Sequence, residues 1–156
     1  MPCDPENVAA AVLAASDSAR GILLTEPDFL PSGLFATLKQ APGVVTSPTE
    51  DQLASAGTGV SGAFAGVART GSVCVRISRG LEYSVGLFTR RHIAVLAAAS
   101  IVARPRDVFD NPRVKKLSAD SDFVFITGPS ATADMGSLVR GVHGPGSLHI
   151  IILDEP

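Results

Sequence analysis

The sequence predicts a single three-layer α/β domain, a mostly parallel sheet flanked by helices. Three observations carry this expectation. Segments of strand character alternate with segments of helical spacing along the chain. Two runs, Phe123–Gly128 (FVFITG) and Leu148–Leu153 (LHIIIL), are near-continuously apolar, the pattern of strands buried on both faces of an internal parallel sheet. The chain has 156 residues, 46% hydrophobic and 18% charged, which suits one globular core rather than a disordered chain or several domains.

The elements follow in order. Pro5–Ala19 is alanine-rich with Val8, Ala11, Val12 and Ala15 at helical spacing, an amphipathic helix ended by Gly21. Ile22–Leu24 is a short strand, Leu34–Gln40 a short helix stopped by Ala41-Pro42-Gly43, and Val44–Thr46 another strand. Ser47-Pro48-Thr49-Glu50 opens a helix running to Ser55, with proline and acids in its first turn. Gly57–Gly71 is rich in glycine and alanine and fits helix or strand. Ser72–Ser78 (SVCVRIS) is a strand by its β-branched residues. Arg79–Arg91 reads as a loop or hairpin, and His92–Leu96 as a strand running into an alanine-rich turn. Asp107–Leu117 reads as a helix that Pro112 ends or kinks. With no tryptophan and one tyrosine, the core is expected to be aliphatic and alanine-rich.

Composition narrows the function classes. The longest apolar stretch, Ile93–Ala99, is far short of the ~20 residues that cross a bilayer. The opening MPCDPEN carries acid where a secretory leader carries base. Cys3 and Cys74 do not make a disulfide framework, and Cys74, inside Val73–Val75, reads as a buried small hydrophobe. A reducing cytoplasm is the expected setting. There is no CxxC, and His92, His143 and His149 are scattered, so neither a metal nor a cofactor is expected. The pI near 5.9, few aromatics and the lack of a recognition motif argue against nucleic acid.

The net charge of −2 hides an uneven distribution. Residues 69–116 hold ten of the 13 basic side chains and three of the 15 acidic ones. Such a concentration suits an anion site, a subunit interface or intramolecular pairing. The planar fork of arginine, which matches carboxylates and phosphates, favours the first.

Ile126–Pro145 (ITGPSATADMGSLVRGVHGP) carries the densest chemistry. It leaves an apolar strand, turns at Gly128-Pro129, and presents Ser130, Thr132 and Asp134 outside that strand's carboxyl end, where open α/β sheets bind ligands. A helix starting near Ala131 would add its positive end to an anion site. Without a ligand, Ser130 and Thr132 would instead serve as helix caps. His143 lies among turn residues, where its ring either reaches a cleft and does acid–base work or bonds a backbone carbonyl. His92 and His149 read as structural, and Gly71 and Gly128 as backbone requirements.

GPSATADM followed by GVHGP and SLHIIIL resembles the carboxy-terminal signature of the LUD (lactate-utilisation) domain family, GPS-R-TAD-I-E and then a GVHGP-like segment. Gly57–Ser72 is similar to the family's GVTGAD…AETGT stretch, and Arg90–Val95 to its H-I-A-V strand. The three motifs span Gly57–Asp154, and the residues before them match in texture only. The resemblance implies the fold of the superfamily of glucosamine-6-phosphate deaminase, ribose-5-phosphate isomerase and CoA transferases. It also implies a part in oxidising lactate or another 2-hydroxy acid beside separate iron–sulfur subunits, which would hold the redox chemistry.

Three departures qualify what carries over. Arg69 stands where the family has glutamate, Ala131 where it has arginine, and Gly136 follows Met135 where an acid is usual. One positive charge is lost and one gained, which preserves anion binding while removing acids that would transfer protons. The expected site therefore binds a small carboxylate, phosphate or nucleotide through Arg69, Thr70, Gly71, Ser72, Gly128, Ser130, Thr132, Arg140 and Gly144. Asp134 and His143 are the remaining catalytic candidates, with Arg140 a partner for Asp134. The loops Thr70–Ser72, Gly128–Asp134 and Gly141–Gly144 are expected to converge on one pocket. A stand-alone sugar-phosphate or CoA-ester enzyme and a non-catalytic binding or assembly module are the alternatives, and self-association into a homo-oligomer stays open.

Overall fold

The structure, a computed structural model, describes residues 2–17, 19–77, 81–115, 122–134 and 136–154. The chain opens with β1 (Pro2–Cys3), α1 (Val8–Ala15), β2 (Ile22–Leu24), α2 (Ala36–Lys39) and β3 (Val44–Val45). Next come α3 (Glu50–Ser55), β4 (Thr58–Gly62), β5 (Ala65–Val67), β6 (Ser72–Ile77) and α4 (Leu81–Leu87). The second half holds β7 (Arg91–Ala97), β8 (Ile101–Val102), α5 (Pro112–Lys115), β9 (Asp122–Ile126), β10 (Ala131–Thr132), β11 (Val139–Arg140) and β12 (Ser147–Leu153).

Six strands form a wholly parallel sheet in the order β1-β12-β7-β4-β2-β3. Its two faces follow from the period-two alternation of each strand. Ile22, Leu24, Val60, Ile93, Val95, Ile151 and Leu153 point to one face, where Val8 and Val12 of α1 and Leu38 of α2 cover them. Leu23 points to the other, beneath Ala56 and Val85, with Leu53 of α3 and Leu81 of α4 packed around them. The rest of that second face, Ala94 and Leu96 of β7, is covered by a second sheet, through Val73 and Val75 of β6. This second sheet has the order β8-β5-β6-β9 and is antiparallel at β5/β6 and β6/β9.

Several sequence expectations change. The helix expected over Pro5–Ala19 is a 3-10 turn, Pro5–Asn7, leading into α1, which stops where Ser16 turns extended and bonds its hydroxyl back to Val12 O at 2.7 Å. Gly57–Gly71 resolves into β4 and β5. Arg79–Arg91 is not a loop or hairpin but contains α4, because Leu81 and Val85, one turn apart, find an apolar bed on Leu23 and Ala56. Pro112 begins α5 rather than breaking a longer helix, and a 3-10 segment, Pro105–Asp110, precedes it. The expected strand end at Ser78 and helix end at Leu117 lie outside the described residues, as does Met135.

The largest correction concerns FVFITG. It forms β9, an edge strand of the second sheet, antiparallel to β6 with Val73 opposite Ile126. Its apolar run has two separate causes. Phe123 and Phe125 join a phenylalanine cluster with Phe64 and Phe109, with ring centroids 5.7–6.4 Å apart. Val124 and Ile126 face a cavity instead. The core is thus aliphatic around the parallel sheet and aromatic beyond the second one. Cys74 is fully buried there, and burial pushes its thiol up to about 12. Among the described residues no helix is long and apolar enough to cross a membrane.

Candidate functional site

The cleft is built by two segments stitched together through Ser130. Its backbone N–H donates to Pro145 O at 2.8 Å, and its carbonyl accepts from Gly141 N–H at 2.9 Å. The approach is close enough that a side chain at Gly144 would sit 3.4 Å from Ser130 Cβ. Gly128 makes the turn out of β9 with φ 72°, a conformation that costs little only for glycine. Instead of a helix at Ala131, the chain makes the short β10/β11 hairpin, Ala131 opposite Arg140. An anion here gains no helix N-terminus.

Two neighbouring chambers result. The outer chamber, about 720 Å³, is lined by Arg90, Arg140 and His143 together with Phe88, Val142 and a glycine-rich loop. The inner chamber, about 320 Å³, lies between the sheets, walled by Val75, Ile77, Val124 and Ile126 on one side and by His92 and Leu148 on the other. Leu87, His143 and Gly144 line both, so the two spaces are neighbours. The segment after β9 does leave that strand's carboxyl end, as expected, but the chambers sit at the amino ends of β7 and β12, where His92 pairs with Leu148. Because β9 belongs to the second sheet, its carboxyl end carries no information about the parallel sheet's carboxyl edge.

The structure gathers part of the predicted constellation. Gly128, Ser130, His143 and Gly144 line the inner chamber, and Arg140 joins His143 in the outer one. Arg69, Thr70, Gly71 and Ser72 form the β5–β6 turn and line neither chamber. Their hydroxyls are engaged in a relay, Thr70 Oγ1 to Ser72 Oγ at 2.7 Å and Ser72 Oγ to Thr127 Oγ1 at 2.6 Å. Gly71, φ 65°, and Ser72 border a third cavity of about 140 Å³ beside Leu96, Ile150 and Ile152. Thr132 donates its hydroxyl to exposed Asp134 at 2.8 Å, and both lie off the two main chambers. No Asp134–Arg140 ion pair occurs among the described residues.

Two lining residues stand outside the predicted set, Arg90 and His92, the second weighed as near the ligand but favoured as structural. Arg90 lines the outer chamber, which Arg69 does not, and its position just before the HIAV strand was the available signal. His92 is fully buried, with Nε2 2.8 Å from Ser61 Oγ and Nδ1 without a hydrogen-bond partner. Burial lowers its pKa to about 4, so the ring is neutral at physiological pH. His149, half-buried on β12, is also pushed below the ordinary imidazole value, by burial foremost.

Two unpaired arginines line the cleft, although Arg69, Arg91 and Lys115 elsewhere are also without an acidic partner among the described residues. Arg20, Lys39, Arg76, Arg104 and Arg106 each pair with an aspartate or glutamate. Among the described residues Arg90 and Arg140 have no acidic partner and no carboxylate lines either chamber. The amides of Gly141 and Gly146 are already committed, to Ser130 O and Arg90 O.

Fold and cleft define an α/β protein with an arginine-bearing cavity beside a parallel sheet and a smaller mixed one. The chain belongs to the LUD domain family, whose pattern matches residues 36–153. It is similar to Lactate utilization protein C of Shouchella clausii, 33% identical over 110 residues, covering 67% of this chain and 47% of that one. Lactate utilization protein C of Halalkalibacterium halodurans is 30% identical over 148 residues, 88% of this chain and 64% of that one. The chain thus spans between 47% and 64% of the length of these curated relatives. The solved structure of a DUF162 family protein from Deinococcus radiodurans shares the fold, with a TM-score of 0.68 at 17% identity over 99% of this chain and 87% of that one.

Proposed function

We propose that this chain is a small-anion-binding subunit linked to the utilisation of lactate or another 2-hydroxy acid. In this reading it works in the cytoplasm beside iron–sulfur subunits that perform the redox step. One observation carries the anion reading: Arg90 and Arg140, both without acidic partners, share one cavity with His143. Like charges left uncompensated on one wall raise the local positive potential, and an anion relieves it. The link to lactate rests on the names of the relatives.

Whether this chain alone turns a substrate over is decided by assay. Should a substrate be converted, His143 is better placed for proton transfer than Asp134, and His143→Gln would then slow the reaction by about two to four orders of magnitude.

Calorimetry with lactate, phosphate, a nucleotide and a neutral sugar tests the reading. Arg90→Gln and Arg140→Gln should each weaken anion binding about tenfold, since a charge-assisted hydrogen bond contributes ~1.5 kcal/mol. Added salt should weaken it further. Binding of the neutral sugar with no binding of any anion would overturn the proposal.

A further inference from the structure

The outer chamber is furnished for more than a charge. The corner that follows α4 is pinned on both sides of Thr89. Phe88 N–H donates to Ser84 O at 2.9 Å, and Arg90 O accepts from Gly146 N–H at 2.9 Å. Between them the Thr89 hydroxyl lies 2.8 Å from Val85 O and 3.0 Å from Arg91 O. Thr89 is buried, whereas its neighbours Phe88 and Arg90 are exposed and border the chamber. The second segment repeats the pattern. Arg140 and Val142 are exposed on either side of Gly141, whose N–H is bonded to Ser130 O at 2.9 Å. Each segment thus brings one cation and one apolar side chain to the same space.

A bare anion uses only half of this equipment. Phe88 is 66% and Val142 50% exposed, and covering such apolar surface lowers the free energy of a complex. Volume points the same way. At about 720 Å³ the chamber falls within the roughly 300–1,000 Å³ of sites that hold drug-sized molecules, and a phosphate or lactate ion would leave most of it to water. Gly141, Gly144 and Gly146 add stretches of wall without side chains, room for a flat body. Among small carboxylates, phosphates and nucleotides, the nucleotide alone joins a flat ring to a charge.

We propose that the outer chamber is a nucleotide site, with the phosphate held by Arg90 and Arg140 and the base laid against Phe88. The proposal rests on the anion reading of the same chamber and narrows its ligand class. The forked donors of arginine match phosphate oxygens in pairs. An aromatic side chain stacks on a base through the π face that every base presents. Val142 offers the base a further apolar contact.

Calorimetry compares AMP with ribose 5-phosphate, which keeps the sugar and the phosphate but lacks the base, and with inorganic phosphate and adenosine. AMP should bind about tenfold more tightly than ribose 5-phosphate, the scale of one base–aromatic stack. Phe88→Ala should bring that ratio close to one, and Phe88→Tyr, which keeps a ring, should preserve it. Arg90→Gln and Arg140→Gln should each weaken both phosphates about tenfold and leave the ratio between them intact. Adenosine, with the base and no charge, should bind more weakly than AMP.

If AMP and ribose 5-phosphate bind alike, the nucleotide proposal is overturned and the anion reading stands. A ratio that survives Phe88→Ala undiminished overturns it as well, because the base then rests elsewhere. Adenosine binding as tightly as AMP, or no binding of any phosphate, removes the anion reading and the proposal with it.

Discussion

Gly59 and Gly86 face the same helix from opposite circumstances, and a methyl group added at each should move stability in opposite directions. Gly59 lies on β4 directly beneath α4. A Cβ there would stand 2.6 Å from Val85 O and 2.8 Å from Thr89 Oγ1. Neither atom can yield cheaply, because Thr89 Oγ1 is itself bonded to Val85 O at 2.8 Å and to Arg91 O at 3.0 Å. Ordinary contact begins near 3.4 Å, so α4 must rise by about 0.8 Å, the difference between 3.4 and 2.6 Å. Overpacking of this kind destabilises by ~1–3 kcal/mol, offset by ~0.4–1 kcal/mol from the stiffer unfolded chain. The net loss for Gly59→Ala is about 1–2 kcal/mol. Gly86→Ala meets nothing within 4 Å and exchanges a poor helix former for the best one, a gain of up to ~1 kcal/mol. For a chain of this size each kcal/mol shifts Tm by ~2–4 °C. Urea and thermal melts should therefore place the two variants on either side of the parent, with the urea slope unchanged. Because Leu87 at the end of α4 lines both chambers, Gly59→Ala should also weaken phosphate binding. Two shifts of the same sign, or a neutral Gly59→Ala, would refute the packing argument.

Two further outcomes follow from buried groups. Above about pH 6.5 the His92 ring is neutral in both folded and unfolded chains. As pH falls from there to about 4, only the unfolded chain takes up the proton, and stability drops by roughly 3 kcal/mol. Ser61→Ala/His92→Phe should flatten that window in denaturant melts run from pH 7 to 4, and identical pH slopes in parent and variant would show that the ring is not buried in its neutral form. Ser72→Ala breaks the middle of the Thr70–Ser72–Thr127 relay and should lower stability by about 1–2 kcal/mol with phosphate affinity unchanged. A loss of affinity without loss of stability would return the β5–β6 turn to the binding site.

Elements with a local signal were legible, and those specified by distant partners were not. β2, β12 and the capped start of α3 follow from apolar runs and from a Thr49–Gln52 capping box, all readable within a few residues. α4 was hidden because its apolar face is only Leu81 and Val85, in a stretch with Gly86, and its stability comes from β2 and the residues beneath it. β9 was found but assigned to the wrong sheet, since an apolar run cannot say whether helices or phenylalanines and a cavity flank it. At the site, the pairing of Ser130 with His143 was legible because both lie in one motif. Arg69 was named and Arg90 was not, for a geometric reason. The β5–β6 turn adjoins the end of β9 through Thr127, yet Arg69 stays off the chamber lining, and no spacing rule reveals which way a hairpin end faces.

The second sheet is assembled wholly from crossovers. β5 and β6 interrupt the path from β4 to its neighbour β7, and β8 and β9 interrupt the path from β7 to its neighbour β12. None of these four strands shares a ladder with the parallel sheet. Val75, Ile77, Val124 and Ile126, which shape one wall of the inner chamber, can therefore be exchanged without disturbing the register that holds His92 and Leu148 opposite them. Scaffold and wall are free to drift at different rates. An engineer wishing to reshape the inner chamber should recombine crossovers rather than mutate the central strands of the open parallel sheet.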